Sequence, residues 1–391
     1  MDHAPLPTPE SITELLRGVV DPELGSDIVE LGMAKGVRVD PDGVVHVTVA
    51  LTTSGCPLRA QIQRDIRARV GTLPGVTRVR MDWSELTQEE KATAMERARR
   101  NIAEREEHTT VPARTKVLMI ASGKGGVGKS SVTVNLAAAL AAQGRTVGVL
   151  DADIWGFSVP RMLGLDGRLE ADGERQQIRP QELPVGPGLL QVVSMGFLVE
   201  DEEAALMWRG LVLNRAVQHF LEDVAWGDLD YLLIDMPPGT GDVQMGLARM
   251  LPRSEMIVVT TPAEAAQKVA VRVVDMGRKN FLRIVGVVEN MSVYVDEDGR
   301  EHRIFGSGGG QALADAVGVP LLGSIPIEPA VSAGGDAGTP VALAGGAAAE
   351  AFGELARLLV EEAVPPTDLS GCSARMLAAV DAALAAADAA G

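Results

Sequence analysis

Hydrophobic and polar positions change period several times along this chain, and each change predicts an element. Ile12, Leu15, Leu16 and Val19 recur at helical spacing, which predicts an amphipathic helix from about Glu10 to Val20. The period then shortens to two. Val45, Val47 and Val49 alternate with His46, Thr48 and Ala50, and with Val37 to Val39 across Pro41-Asp42-Gly43 they predict a hairpin. A helix opening at Cys56-Pro57 and running to about Val70, then a strand from Val76 to Met81, complete a small α/β module. Between 85 and 107 the periodicity gives way to a mixed-charge run containing EEKATAMERARRNIAEREE, read as a solvated helical linker. Short apolar runs follow at Lys116 to Ala121, Thr146 to Leu150, Tyr231 to Ile234, Met256 to Thr260, Ile284 to Glu289 and Leu321 to Ile325, separated by helical stretches. This alternation predicts an α/β fold with a mostly parallel sheet covered by helices on both faces. The Gly- and Pro-rich stretch from Gly164 to Gly188 reads as an excursion from that sheet.

The expected organisation is a disordered lead (1–8), a small α/β domain (9–84), a charged linker (85–112), a large α/β domain (113–363) and a helical tail (364–391). In the tail, Met376, Leu377, Val380 and Leu384 share one face, while Arg375 stands against Asp381 and Asp388, so the basic face of a membrane-surface helix is missing. Packing on the protein or on a partner is the expected role.

Composition narrows the function classes. With 36 basic and 53 acidic residues the net charge is -17, which disfavours attraction to nucleic acid or anionic lipid. Aromatics at 3% leave few stacking platforms for bases, so neither nucleic acid nor membrane is an expected partner. The start, MDHAPLPTPE, lacks a secretory pattern, and two cysteines, Cys56 and Cys372, fit a reducing cytoplasm. Five histidines supply no zinc spacing.

The chemistry concentrates at Gly123-Lys124-Gly125-Gly126-Val127-Gly128-Lys129-Ser130, which fits G-x-x-x-x-G-K-[ST]. The strand before it and the helix from Ser130 to Gln143 after it supply the context of a P-loop NTPase, in which backbone N–H groups and a helix N-terminus cradle polyphosphate. Lys129 is expected to reach the β- and γ-phosphates of ATP, and the Ser130 hydroxyl to ligate Mg²⁺. Asp151 and Asp153 follow the second strand and Asp235 ends Tyr231 to Asp235, where carboxylates beside the loop would assist the metal. Met236-Pro237-Pro238-Gly239-Thr240-Gly241 is either a switch that senses the γ-phosphate or a rigid turn.

At these residues the chain resembles the Mrp/ApbC family of P-loop ATPases, relatives of ParA and MinD linked to iron-sulfur cluster assembly. The resemblance rests on SGKGGVGKSS (122–131), VLDADIWGFSVPRMLG (149–164), SMGFLVEDE (194–202), MWRG (207–210), WGDLDYLLIDMPPGTGDVQ (226–244), ENMS (289–292), IFGSGGG (304–310) and LLGSIPIEPAVSAGGDAGTPV (321–341). DPELGSDIVELGM (21–33) and LTTSGCPL (51–58) resemble the small domain often fused to that family. The resemblance implies ATP held by Gly123 to Ser131, Mg²⁺ held with Ser130, Asp151 and Asp235, and catalysis by Lys124, Lys129 and Asp153. Lys124 would reach nucleotide across a homodimer interface, Asp153 would position the attacking water, and Asn290 would contact adenine. It further implies iron-sulfur apoproteins or assembly factors as partners, with a ParA- or MinD-like positioning ATPase, or an adaptor holding no cluster, as alternatives.

Where that family commonly carries Cys-x-x-Cys, this chain reads Val295-Asp296-Glu297-Asp298-Gly299-Arg300-Glu301-His302-Arg303. A solvated turn at Asp298-Gly299 is the expectation, since carboxylates are poor substitutes for thiolate. Cys56, before Pro57 at a helix start, is either a reactive or ligating thiol or a buried small residue.

Overall fold

The valine alternation near the N-terminus folds into a sheet with one buried face. This computed structural model describes residues 6–21, 24, 26–52, 59–87, 89–91, 93–94, 97, 109–153, 156–172, 177–198 and 210–366. Strand Val44–Leu51 pairs antiparallel with Ala34–Val39 and parallel with Arg78–Glu85. The hairpin turns at Gly43, whose φ of 82° favours glycine. Val45, Val47 and Val49 pack against Ile62, Ile66 and Val70 of helix Arg59–Val70, and against Ile12, Leu15 and Leu16 of helix Pro9–Leu16. That first helix is capped by the Thr8 side chain and stops short of Val20, because Val20–Asp21 pairs with Ser26–Asp27. The third strand begins at Arg78 rather than Val76, since Val76 closes a turn onto Leu73. Leu86 and Ala94 are buried in the same core, so the start of the charged run packs on the module instead of standing in solvent throughout.

The large domain has the expected α/β architecture. Across its sheet the strands run Gln181–Val185, Gly188–Ser194, Thr146–Asp151, Tyr231–Asp235, Lys116–Ser122, Glu255–Thr260 and Arg283–Val295, with Leu321–Ile327 beside the last. All these neighbours are parallel except Gln181–Val185, and the short Glu301–His302 is antiparallel to the far end of Arg283–Val295. The excursion after Gly164 therefore returns to the sheet as an edge strand, where Pro184 costs no ladder bond to a further neighbour. Alternate residues of Lys116–Ser122 serve opposite layers: Leu118 and Ile120 enter one core, Val117, Met119 and Ala121 the other. Helices cover both faces, which is why the strands read as continuous apolar runs.

The two domains meet at the N-terminal ends of the large sheet. Arg69, from the last turn of helix Arg59–Val70, is 3% exposed and stands 3.3 Å from Glu255, which also pairs with Arg283 at 3.0 Å. Arg69 donates to the carbonyl of Arg253, and Arg278 donates to the carbonyl of Thr72. Gly18 must be small there, because a Cβ would stand 2.3 Å from Nη1 of Arg69. Among the described residues no helix is long and apolar enough to cross a membrane. The expected tail helix, most of the linker helix, and both Cys56 and Cys372 lie outside the described residues.

Candidate nucleotide site

Strand Lys116–Ser122 leads into the glycine loop, and helix Lys129–Ala142 leaves it. Gly126 and Gly128 adopt φ of 79° and 78°, a region that favours glycine. Neighbours enforce the other constraint: a Cβ on Gly123 would lie 2.5 Å from the backbone nitrogen of Ala270, and one on Gly128 2.2 Å from Nδ2 of Asn290. The backbone thus approaches closely enough to present its N–H groups, with the helix N-terminus adding partial positive charge.

Three carboxylates gather around the Lys129 ammonium. Asp235 and Asp151 end adjacent strands and are direct register partners, so topology alone brings two acids side by side. Lys129 Nζ lies 2.8 Å from Asp235 Oδ2 and 3.7 Å from Asp153 Oδ2. Ser130 Oγ donates to Asp235 Oδ2 at 2.6 Å, and Thr133 Oγ1 donates to Asp235 Oδ1 at 2.8 Å. Asp151 accepts from the backbone nitrogens of Asp153, Ser158 and Val159 and from the Ser194 hydroxyl. Its oxygens thereby shape the loop that carries Asp153. Burial first, and the neighbouring Asp235 second, push the Asp151 carboxyl up to about 7. Burial likewise raises Asp153, against the opposing pull of Lys129.

Thr133 and Ser194 were not among the residues expected from sequence. Thr133 lies one helical turn beyond Lys129, a spacing that could have signalled a shared face. Ser194 had no such signal, because only the sheet order brings the end of Gly188–Ser194 beside Asp151.

The remaining expected residues divide. Asn290 is buried, donates to the carbonyl of Val127 at 2.9 Å, and lines a cavity of about 380 Å³ together with Ser131, Met291, Phe305 and Pro326. Lys124 projects from the loop, exposed, and its side chain makes no hydrogen bond or ion pair with a described residue. The Pro-Pro-Gly loop is tethered, since Gly239 N donates to the carbonyl of Ser122 at 2.9 Å.

The segment that would carry paired cysteines is a charged hairpin. Val295 pairs with Glu301, Gly299 turns with φ of 79°, and Asp296 accepts from the backbone of Asp298 and Arg300. The hydrogen bond from His302, first, and those backbone donors hold the Asp296 carboxyl below its ordinary value. Among the described residues no group of three or more His, Cys, Asp or Glu side chains converges to hold a metal. The Asp235 and Ser130 oxygens fit a different demand: Mg²⁺ takes a hydroxyl, one or two carboxylates and substrate phosphates, not an all-protein cage.

Comparison with known proteins identifies the family of both domains. Residues 113–360 match the family described as NUBPL iron-transfer P-loop NTPase, and residues 9–81 match iron-sulfur cluster assembly protein. An iron-sulfur cluster carrier protein of Mycobacterium bovis is 44% identical over 340 residues, covering 85% of this chain and 87% of its own. One from Deinococcus radiodurans is 42% identical over 353 residues, covering 90% and 94%. A nucleotide-binding protein from Archaeoglobus fulgidus, solved in complex with ADP, superposes with a TM-score of 0.50 at 35% identity over 57% of this chain and 86% of its own. The chain belongs to the Mrp/ApbC-type family of iron-sulfur cluster carrier P-loop ATPases, and is itself an ATP-binding, ATP-hydrolysing P-loop NTPase.

Proposed function

We propose that this protein is a slowly hydrolysing, Mg²⁺-dependent ATPase that carries iron-sulfur clusters, or helps deliver them, to apoproteins as a cytoplasmic homodimer. One observation carries the reading: an alignment of 340 residues to a cluster carrier is longer than the chain from 113 to its end, so the similarity includes the small module as well as the ATPase domain.

At the phosphate loop, backbone N–H groups from Gly123 to Ser131 hold the phosphates and Lys129 neutralises them. Ser130 and Asp235 would hold Mg²⁺, with Asp151 behind them; the ion supplies charge neutralisation at the β- and γ-phosphates. Asp153, beside Lys129 and partly exposed, positions the attacking water. Lys124, free to extend, reaches the nucleotide of a second protomer. Asn290 and its cavity receive the base.

The charged hairpin Val295–Arg303 favours a second reading, an adaptor gated by nucleotide that holds no cluster of its own. Anaerobic reconstitution with iron and sulfide distinguishes the two. A cluster absorbance in wild type that is lost in Cys56→Ser supports the carrier, with Cys372→Ser reporting whether the tail contributes. No bound cluster in wild type defeats the carrier reading, and nucleotide-dependent association with a loaded assembly factor then tests the adaptor. A positioning ATPase would instead pellet with DNA or anionic liposomes in the presence of ATP.

A further inference from the structure

Strand Arg78–Glu85 lies at the edge of the small sheet, paired with Val44–Leu51 on one side and with no strand on the other among the described residues. An unpaired edge offers a row of backbone N–H and C=O groups to any extended chain. Its side chains alternate cleanly. Arg78 and Arg80 stand exposed on the open face, while Val79, Met81 and Trp83 are half-buried on the face covered by helix Arg59–Val70. A groove of about 680 Å³ follows this edge and is walled on the helix side by Arg67 and Gly71. At its other end the Arg59 guanidinium lies over the Trp83 ring, 4.9 Å from the centroid.

We propose that this edge is a docking site for an extended acidic peptide, which adds as a further strand to the small sheet. A strand laid there would place alternate side chains opposite Arg78 and Arg80, where carboxylates form cross-strand pairs. Its intervening side chains would meet Met81, Trp83 and the apolar stems of Arg59 and Arg67, where aliphatic residues fit. Backbone pairing gives affinity and the alternation gives specificity. Charge complementarity selects this occupant. None of Arg67, Arg78 and Arg80 forms an ion pair with a described residue, although the chain carries -17 overall. The carboxylate lining the groove, Asp82, lies within 3.9 Å of His46 Nδ1 on the neighbouring strand.

As a client-docking site this inference rests on the proposed carrier function, but its test uses neither nucleotide nor cluster, so the two fail separately. The probe is a fluorescein-labelled peptide of alternating valine and glutamate, about eight residues long. Anisotropy should report saturable binding to the full chain that weakens as salt rises. Arg78→Glu/Arg80→Glu should weaken it about tenfold or more, Arg78→Lys/Arg80→Lys should largely retain it, and ATP turnover should be unchanged in both, showing an intact fold. Hydrogen exchange should show alternate amides of Arg78–Glu85 protected by the peptide. Absence of binding at low salt leaves the arginines as guards against edge aggregation and overturns the proposal. So does binding indifferent to Arg78→Glu/Arg80→Glu, binding without amide protection, or equal binding of single-stranded DNA of similar charge.

Discussion

At the C-terminal ends of the large sheet Asp151, Asp153 and Asp235 surround the Lys129 ammonium, whereas at the N-terminal ends the Glu255 carboxylate lies between Arg69 and Arg283. Both clusters are buried, and their strands lie on either side of Lys116–Ser122 in one sheet. Their charge balance is opposite. In the acid-rich cluster burial and, after it, Asp235 raise Asp151 to about 7. In the base-rich cluster burial works to raise Glu255, but Arg283 and Arg69 outweigh it and hold the carboxyl below its ordinary value. An acid raised by burial and, after it, by a neighbouring acid marks a place that gains from an arriving cation, while one lowered by two arginines marks a joint already satisfied. The first is where we propose that nucleotide binds, the second is the seam between domains.

The largest expected effect is at the acid-rich end. Lys129→Ala removes the cation that faces three carboxylates and the incoming phosphates, so nucleotide binding should be lost and turnover should fall about a thousandfold. Calorimetric titration with Mg-ATP measures this; wild-type affinity in Lys129→Ala would mean that the acid cluster is not the nucleotide site. At the other end, Glu255→Gln leaves two arginines without their shared anion. The unfolding free energy should drop by about 3–5 kcal/mol in urea denaturation, with ATP turnover per folded molecule near wild type. Collapse of turnover in a folded Glu255→Gln protein would show that the joint is part of the engine.

Asp153→Ala should separate binding from chemistry. It is the most exposed of the three acids and its carboxylate stands 3.7 Å from Lys129, so nucleotide affinity should persist while turnover falls about a hundredfold. Equal turnover in the variant and wild type would assign the water to another group.

How much of this was legible beforehand differs between the clusters. Asp151 and Asp235 could be read because each ends an apolar strand, with Asp153 two residues beyond the first, and parallel sheets place strand ends together. Of their partners, Thr133 offered only its one-turn spacing from Lys129, and Ser194 could not be read, because it reaches Asp151 only through a sheet order that no local pattern encodes. The seam was invisible for the same reason. Arg69 sits in a helix rich in arginine, RAQIQRDIRARV, where its spacing puts it on the face of Ile62 and Ile66, but Arg59 shares that face and is exposed, so spacing alone does not single out the buried arginine. Glu255 opens an apolar strand, a position that reads as a solvated end until another domain covers it. Most strands of the large sheet were legible to within a few residues, but Gln181–Val185 and Gly188–Ser194 were not expected, their Gly and Pro neighbours resembling a loop, and Arg283–Val295 runs six residues past its expected end at Glu289.

The pH dependence should run in opposite directions at the two ends. Asp151 is raised from 3.8, so the folded protein binds more protons than the unfolded chain between about 4 and 7, and apo stability from this group declines as pH rises through that window. Glu255 is lowered from 4.5, so its contribution is present above that value and is lost as pH falls through its folded value. Asp151→Asn should flatten the upper slope by on the order of 1–2 kcal/mol in magnesium-free denaturation series, since coupled carboxylates share the titration. The hydrogen bonds it disturbs shift the whole curve without changing that slope. An unchanged slope would place the buried proton elsewhere.

Arg69→Met gives the smallest expected change and the sharpest reading of the seam. Removing the acid strands two cations, but removing this cation leaves Glu255 still paired with Arg283 at 3.0 Å. Arg69 also keeps Nε and Nη1 buried without a hydrogen-bond partner among the described residues, a desolvation cost that methionine abolishes while filling much the same volume. The lost pairing with Glu255 and the lost hydrogen bond to the Arg253 carbonyl nearly offset that gain, so urea denaturation should place Arg69→Met within about 1 kcal/mol of wild type. A loss as large as that of Glu255→Gln would mean that the arginine, rather than the shared carboxylate, organises the joint, and the contrast between an acid-centred seam and an acid-rich site would have to be redrawn.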